Sequence, residues 1–476
     1  MLIGREQEQL TFEKLLQSSQ AEFVVIYGRR RVGKTYLVRE YFQEKIIFDF
    51  TGSYDTETSI QLNNFYVELK RVWTAATNVK SPQNWSEAFY LLTDYLLSLD
   101  NTTEKHIVFI DELPWLDRTR AGFVPALSYF WNQHASRMKN LILITCGSAA
   151  SWILKKLLND KGGLHNRVTR RIELRPFSLK EVADFCAFKR LKFTPYQMVQ
   201  LYMILGGVPF YWQAIEQGKS VPQVIDQLCF AQNGLLAVEF KPLFQSLFKN
   251  AENHIQLIET LAKSPYGLTR QQLLKDSHVP KGGTFVRTIE QLIDCGFVKA
   301  LSPFGKKSKN TVFRIIDFYS IFYLKFIRGN VTDRRNVWQN LANSPTYYSW
   351  MGYAFENICL THLQAIHQAL GISGIYTSVS SFYFKGNDLL PGAQIDLLID
   401  RSDGIINLCE AKFTNKEFVL SKEYMANLRR KRTIFQEVTK TKKAVTTTLL
   451  TSYQAIQNAY YLEEIHSEVS LEDFFR

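Results

Sequence analysis

The octapeptide Gly28-Arg29-Arg30-Arg31-Val32-Gly33-Lys34-Thr35 fills every fixed position of the pattern GxxxxGK[ST]. Its surroundings carry as much weight as the match. An apolar run, Phe23 to Tyr27, reads as a buried strand entering the loop, and Tyr36 to Phe42 reads as an amphipathic helix leaving it. Such a loop lets successive backbone N–H groups converge on phosphate oxygens, and the helix N-terminus adds its positive end. The pattern therefore predicts that residues 28–36 hold a nucleotide. Lys34 would reach its β- and γ-phosphates, and the Thr35 hydroxyl would bind Mg²⁺.

A second element fits the first. Val108-Phe109-Ile110-Asp111-Glu112 is an apolar strand ending in two acids. At the carboxyl edge of a parallel sheet, Asp111 would hold Mg²⁺ through water and Glu112 would polarise the attacking water as general base. Together the two motifs predict ATP binding and hydrolysis with Mg²⁺. Further strands are expected at 46–50, 141–145 and 172–175, alternating with helical stretches in the manner of an α/β parallel sheet. The strand from Leu141 ends in Cys146-Gly147-Ser148, where Ser148 either senses the γ-phosphate or closes a tight turn. Arg167, Arg170 and Arg171 are candidates for an arginine finger, and Arg167 is favoured.

Composition narrows the class. A 476-residue chain is too long for one ordinary core, so about three domains are expected. The net charge of +12 and a pI of about 9.2 favour acidic partners such as nucleic acid without specifying any. The six cysteines are scattered and form no CxxC pair, as in a reducing compartment. The first residues turn charged at Arg5 and Glu6, and no uncharged apolar run approaches the ~18–20 residues of a membrane span. A cytoplasmic protein with no membrane partner is expected.

Beyond Ser178 the pattern becomes helical to about Phe244, broken at Gly206-Gly207-Val208-Pro209. Between residues 251 and 328, three helices precede a hairpin, which is winged-helix order. Lys281, Thr284, Arg287 and Gln291 on and before the third helix, with Lys306, Lys307 and Lys309 on the wing, suit double-stranded DNA. The same module also serves as a protein contact or spacer. Residues 336–348 read as a connector. In the last part, Asp396 lies on one strand, and Glu410 and Lys412 leave the same face of the next across the turn 401–404. Two carboxylates can share a divalent metal and a lysine can steady the charge that develops on a phosphodiester. Glu356, on the helix opening this part, could add a third carboxylate. The basic run Arg429 to Arg432, with Lys440, Lys442 and Lys443 beyond, either tracks a nucleic-acid backbone or is a solvated helix face.

Ile3-Gly4-Arg5-Glu6, the two nucleotide motifs, Cys146-Gly147-Ser148, the run Arg171 to Ser178 and Gly206 to Pro209 resemble the archaeal-type ATPase family, among the AAA+-related and STAND NTPases. The resemblance reaches residue 245. It implies base-side contacts from Ile3, Gly4 and Arg5, a helical lid after the sheet, and self-association. The Asp396, Glu410 and Lys412 arrangement is similar to the PD-(D/E)xK restriction-endonuclease-like fold, although Gln394-Ile395-Asp396 has no proline directly before the acid. The expected fold is therefore α/β throughout, with winged-helix α+β in the middle. Its divisions are a P-loop core at 1–177, a lid at 178–245, a winged helix at 250–328 and a nuclease-like domain at 350–476. Two functions remain open at this point. One is an ATPase whose nucleotide state regulates a DNA-facing, metal-dependent nuclease half. The other is an ATPase that senses or remodels a protein partner, with a silent nuclease-like scaffold.

Overall fold

The computed structural model describes residues 2–99, 104–158, 163–164, 166–305, 310–331, 337–342 and 344–476, without the side chains of Asn78 and Asp396. The wing lysines Lys306, Lys307 and Lys309 lie outside the described residues. The chain divides between Pro176 and Phe177 into two compact units.

In the first unit, β1 (Glu22–Tyr27) buries Phe23 to Ile26 completely because it lies inside a five-stranded sheet covered on both faces. The other strands are β2 (Ile46–Thr51), β3 (His106–Asp111), β4 (Leu141–Gly147) and β5 (Arg170–Glu173). Their order is β2-β3-β4-β1-β5, and every pairing is parallel. Alternate residues of one strand feed opposite cores. Phe23 and Val25 pack with α3 (Thr58–Val72), α4 (Trp85–Ser98) and α5 (Phe123–Gln133) through Phe65, Leu92 and Phe130. Val24 and Ile26 face α1 (Glu6–Leu16) and α2 (Lys34–Phe42) through Phe12, Leu37 and Val38. This is the doubly covered parallel sheet that the alternating apolar runs predict. β5 starts and stops two residues earlier than expected.

The second unit opens with α6 (Leu179–Phe188) and α7 (Pro195–Leu205), each started by a capping box, at Ser178 with Glu181 and at Thr194 with Gln197. Gly207 is required between them and the next turn. A Cβ there would lie 1.9 Å from the Phe177 carbonyl oxygen, and the Phe177 N–H donates to the Gly207 carbonyl at 2.6 Å. Next come α8 (Ala251–Leu261), α9 (Arg270–Asp276) and α10 (Gly283–Asp294) with a small antiparallel sheet. It comprises β6 (Leu268–Thr269), β7 (Val298–Leu301) and β8 (Val312–Ile315), in the order β6-β8-β7.

The stretch expected as a connector is mostly helical where it is described. A short helix covers Val337–Leu341, and α11 (Pro345–Thr361) follows it, capped by Ser344. Aromatic packing of Trp338 against Tyr347, Phe322 and Phe326 overrides the weak helical signal of that stretch. The last sheet holds β9 (Thr377–Phe384), β10 (Ala393–Arg401), β11 (Ile405–Lys412), β12 (Ala444–Thr451) and β13 (Ile465–Ser470), in the order β13-β12-β11-β10-β9. The β9-β10 and β10-β11 pairs are antiparallel and the other two are parallel. α12 (Lys422–Thr439) packs Ile434 and Phe435 on the face formed by Ile406 and Leu408.

Candidate nucleotide site and C-terminal carboxylate site

The carboxyl ends of β1, β3 and β4, adjacent in the first sheet, bring together the three segments that the sequence singles out. Gly28 has φ +149°, and a Cβ there would stand 2.2 Å from the Leu174 carbonyl oxygen, so only glycine fits beside the chain leaving β5. Gly33, at φ +92°, supplies a further left-handed turn and caps α2. Lys34 is buried, and its ammonium donates to the carbonyls of Gly28 and Arg29 at 3.0 Å each and to Ser148 Oγ at 3.2 Å. Thr35 Oγ1 donates to Asp111 Oδ2 at 2.5 Å. Burial raises the Asp111 carboxyl above its usual range; the Thr35 hydrogen bond offsets part of this, and the Glu112 charge adds to it. Two hard oxygen donors side by side at the loop's end suit a small divalent cation such as Mg²⁺.

Glu112 stands in the left-handed region at φ +52°, which turns its carboxylate away from the strand. One oxygen accepts the Ser148 hydroxyl at 2.6 Å and the other its backbone N–H at 3.1 Å. Lys34, Ser148 and Glu112 thus form one chain of hydrogen bonds. Of the remaining residues, Arg29 and Val32 are buried in the loop, Arg30 and Arg31 are half-buried, and Tyr36 is exposed on the first turn of α2. Ile3 and Gly4 are half-buried just before α1. The Arg5 guanidinium is engaged with backbone carbonyls. It donates to the Val32 carbonyl at 3.1 Å and the Arg175 carbonyl at 2.8 Å, bracing the loop from behind. Arg167 is exposed in the turn before β5 and makes none of the contacts described for this site.

Residues 2–214 match the family described as an ATPase domain predominantly from Archaea. The first part of this chain is therefore similar to an archaeal-type ATPase domain. An uncharacterized protein of Methanocaldococcus jannaschii is 22% identical over 395 residues, covering 82% of this chain and 83% of that protein. Among solved structures, the Walker-type ATPase of Pyrococcus abyssi is similar at a TM-score of 0.49 and 15% identity, over 68% of this chain and 96% of the other. The ORC2 protein of Aeropyrum pernix is similar at a TM-score of 0.40 and 12% identity, over 72% and 96%. The match to the ATPase domain ends within the helical segment that follows the sheet, so the carboxylates of the last sheet lie beyond it.

There, Glu410 and Lys412 project toward α12, as the alternation along β11 requires. Lys431 Nζ stands 2.9 Å from one Glu410 oxygen, and Lys412 Nζ 3.4 Å from the other. The Tyr424 hydroxyl donates to the same carboxylate, and its ring lies 4.8 Å from the Lys412 ammonium. Burial alone would raise the Glu410 carboxyl; the two ammonium groups and the hydroxyl outweigh it and hold it below the usual range. Tyr424 and Lys431 are missing from the sequence-based site. Their spacing of seven on one helix, which puts them on one face, was the available signal. Asp396 falls where β10 shifts register against β9, between Ile395 and Leu398, and its side chain is outside the described residues. Glu356 does not join Glu410. It lies on α11, which packs Phe355 against Phe413 and Cys359 near Cys409, the opposite face of β11, and it pairs with Arg314 at 3.0 Å. Among the described residues no group of three His, Cys, Asp or Glu side chains could hold a metal ion.

Two other expectations change. Gln291 is half-buried and bonded to His254 at 3.0 Å, whereas Lys281, Thr284 and Arg287 are exposed. The basic run on α12 is largely engaged internally: Arg429 and Arg432 hold the fully buried Glu464, and Lys431 holds Glu410. Lys443 pairs with Asp400 at 2.5 Å, leaving Arg430, Lys440 and Lys442 exposed. Among the described residues no helix is long and apolar enough to cross a membrane.

Proposed function

We propose that this chain hydrolyses ATP and that its nucleotide state regulates a DNA-facing C-terminal half. The observation that carries the ATPase reading is the convergence of Lys34, Thr35, Asp111, Glu112 and Ser148 at the ends of three adjacent strands. Lys34 would exchange its carbonyl partners for the β- and γ-phosphates. Thr35 and Asp111 would hold Mg²⁺, which supplies charge neutralisation at the phosphates when bound. Glu112 would orient the attacking water, with Ser148 beside the γ-phosphate.

For the C-terminal half, the paired Glu410 and Lys412, with Asp396 on the neighbouring strand beside a register shift, support a phosphodiester site of the PD-(D/E)xK kind. The exposed Lys281, Thr284 and Arg287, in a three-helix and hairpin arrangement, support contact with double-stranded DNA. A specific observation favours a second reading, the silent scaffold serving a protein partner or self-association. Both Glu410 oxygens are already engaged by lysines, and Glu356 is on the other face.

The deciding experiment is DNA cleavage with Mg²⁺ or Mn²⁺, with and without ATP, for wild type, Glu410→Ala and Lys34→Ala. Cleavage lost in Glu410→Ala, and responsive to ATP only with Lys34 intact, supports the ATP-gated nuclease. ATP hydrolysis without cleavage under any condition supports the scaffold reading. No ATP hydrolysis by wild type refutes both.

A further inference from the structure

The loop that follows Lys412 is held by a residue of the helical segment, not only by its own sheet. Phe413 comes directly after Lys412, and its ring stacks on Tyr196 of α7, with centroids 4.9 Å apart and planes 6° from parallel. Tyr196 also packs on Tyr453, which leaves the end of β12, at 5.6 Å. These two chain exits are tied to each other. The Ser452 N–H donates to the Lys412 carbonyl at 3.1 Å, the Thr414 N–H to Ser452 Oγ at 2.7 Å, and Ser452 Oγ to the Thr414 carbonyl at 2.6 Å. One tyrosine therefore touches both strand exits at the edge where Lys412 faces Glu410.

Tyr196 is itself rigidly placed. It sits in the first turn of α7, where the Thr194 and Gln197 capping box and Pro195 at the first helical positions leave the turn little freedom. The start of the helical segment is anchored to the same C-terminal fold: the Leu179 N–H donates to Nε2 of buried His362 at 3.2 Å. A stacked aromatic pair is worth about 0.5–1.5 kcal/mol beyond the area it buries, so a shift of α7 that keeps the contact carries Phe413 with it.

We infer that Tyr196 is a positioning residue for the Glu410–Lys412 site, its stacking on Phe413 making the placement of Lys412 follow the placement of the helical segment after the ATPase sheet. This rests on the ATPase reading above for its input, and it holds whether the Glu410 site cleaves DNA or only binds a partner.

The test is hydrogen exchange on the full chain, with and without a non-hydrolysable ATP analogue, for wild type, Tyr196→Ala and Tyr196→Phe. Without nucleotide, Tyr196→Ala is expected to speed exchange about tenfold or more at residues 411–416 and 451–454, leaving 405–409 unchanged, while Tyr196→Phe keeps the wild-type pattern. The analogue is expected to alter exchange at 411–416 in wild type and in Tyr196→Phe but not in Tyr196→Ala. Unchanged exchange at 411–416 in Tyr196→Ala overturns the inference. So does a wild type that binds the analogue, measured by fluorescence titration, without any response there. A wild type that binds no analogue instead refutes the ATPase reading, and the nucleotide-free comparison then decides the contact by itself.

Discussion

Replacing Glu356 by alanine tests whether this carboxylate serves a metal or holds Arg314. As a metal ligand, its loss should spare stability and reduce metal-dependent chemistry. As the partner of Arg314, the reverse holds. The Arg314 side chain is 5% exposed and that of Glu356 19%, with 3.0 Å between Nη2 and Oε2. Removing one member of a buried pair leaves a charge in a poorly solvated place and costs about 3–5 kcal/mol. Because Glu356 keeps some access to water, Glu356→Ala should fall near the lower end, ~3 kcal/mol. At about 2–4 °C per kcal/mol for a large domain, that is a melting-temperature drop of roughly 6–12 °C. Thermal melts and urea titrations followed by tryptophan fluorescence would measure it. The double variant Arg314→Met with Glu356→Leu should recover most of the loss, since an apolar pair strands no charge. A loss under about 1 kcal/mol in Glu356→Ala, the range of surface pairs, would refute the reasoning. So would a double variant as unstable as the single one.

Two further outcomes follow from buried groups in the same unit. His362 is buried, and desolvation lowers its pKa to about 4, so the folded chain refuses a proton that the unfolded chain accepts. Stability from this group is therefore complete above about pH 6.5 and lost as pH falls toward 4, by about 3 kcal/mol in all; His362→Gln should flatten that slope in urea titrations across the window. Gly207→Ala would force a methyl group onto the Phe177 carbonyl, 1.9 Å away, where no flexible side chain can yield. It should cost about 1–3 kcal/mol or more, whereas Gly218→Ala, with open space around it, should cost only about 1 kcal/mol for its positive φ, a difference that parallel melts would resolve.

The candidate nucleotide site was legible from the sequence because the chemistry it offers is local. Gly28 to Thr35 must be contiguous to curl around a phosphate, and Asp111 and Glu112 must end a buried strand to reach it. Alternation along β11 likewise put Glu410 and Lys412 on one face without any knowledge of the fold. By itself, then, the sequence determined the parallel sheet, the loop and the identity of the acids at its edge, since short-range geometry and burial of apolar runs dictate them. Tertiary structure alone decided which face of the last sheet each helix covers. That choice sends Glu356 to Arg314 and brings Tyr424 and Lys431 to Glu410. It also turned Arg5 into a brace for the loop, engaged Arg429 and Arg432 with Glu464, and set Tyr196 on Phe413. These partners lie between 14 and 217 residues apart, on different elements, so no periodicity within one element registers them and only packing brings such side chains within reach of one another.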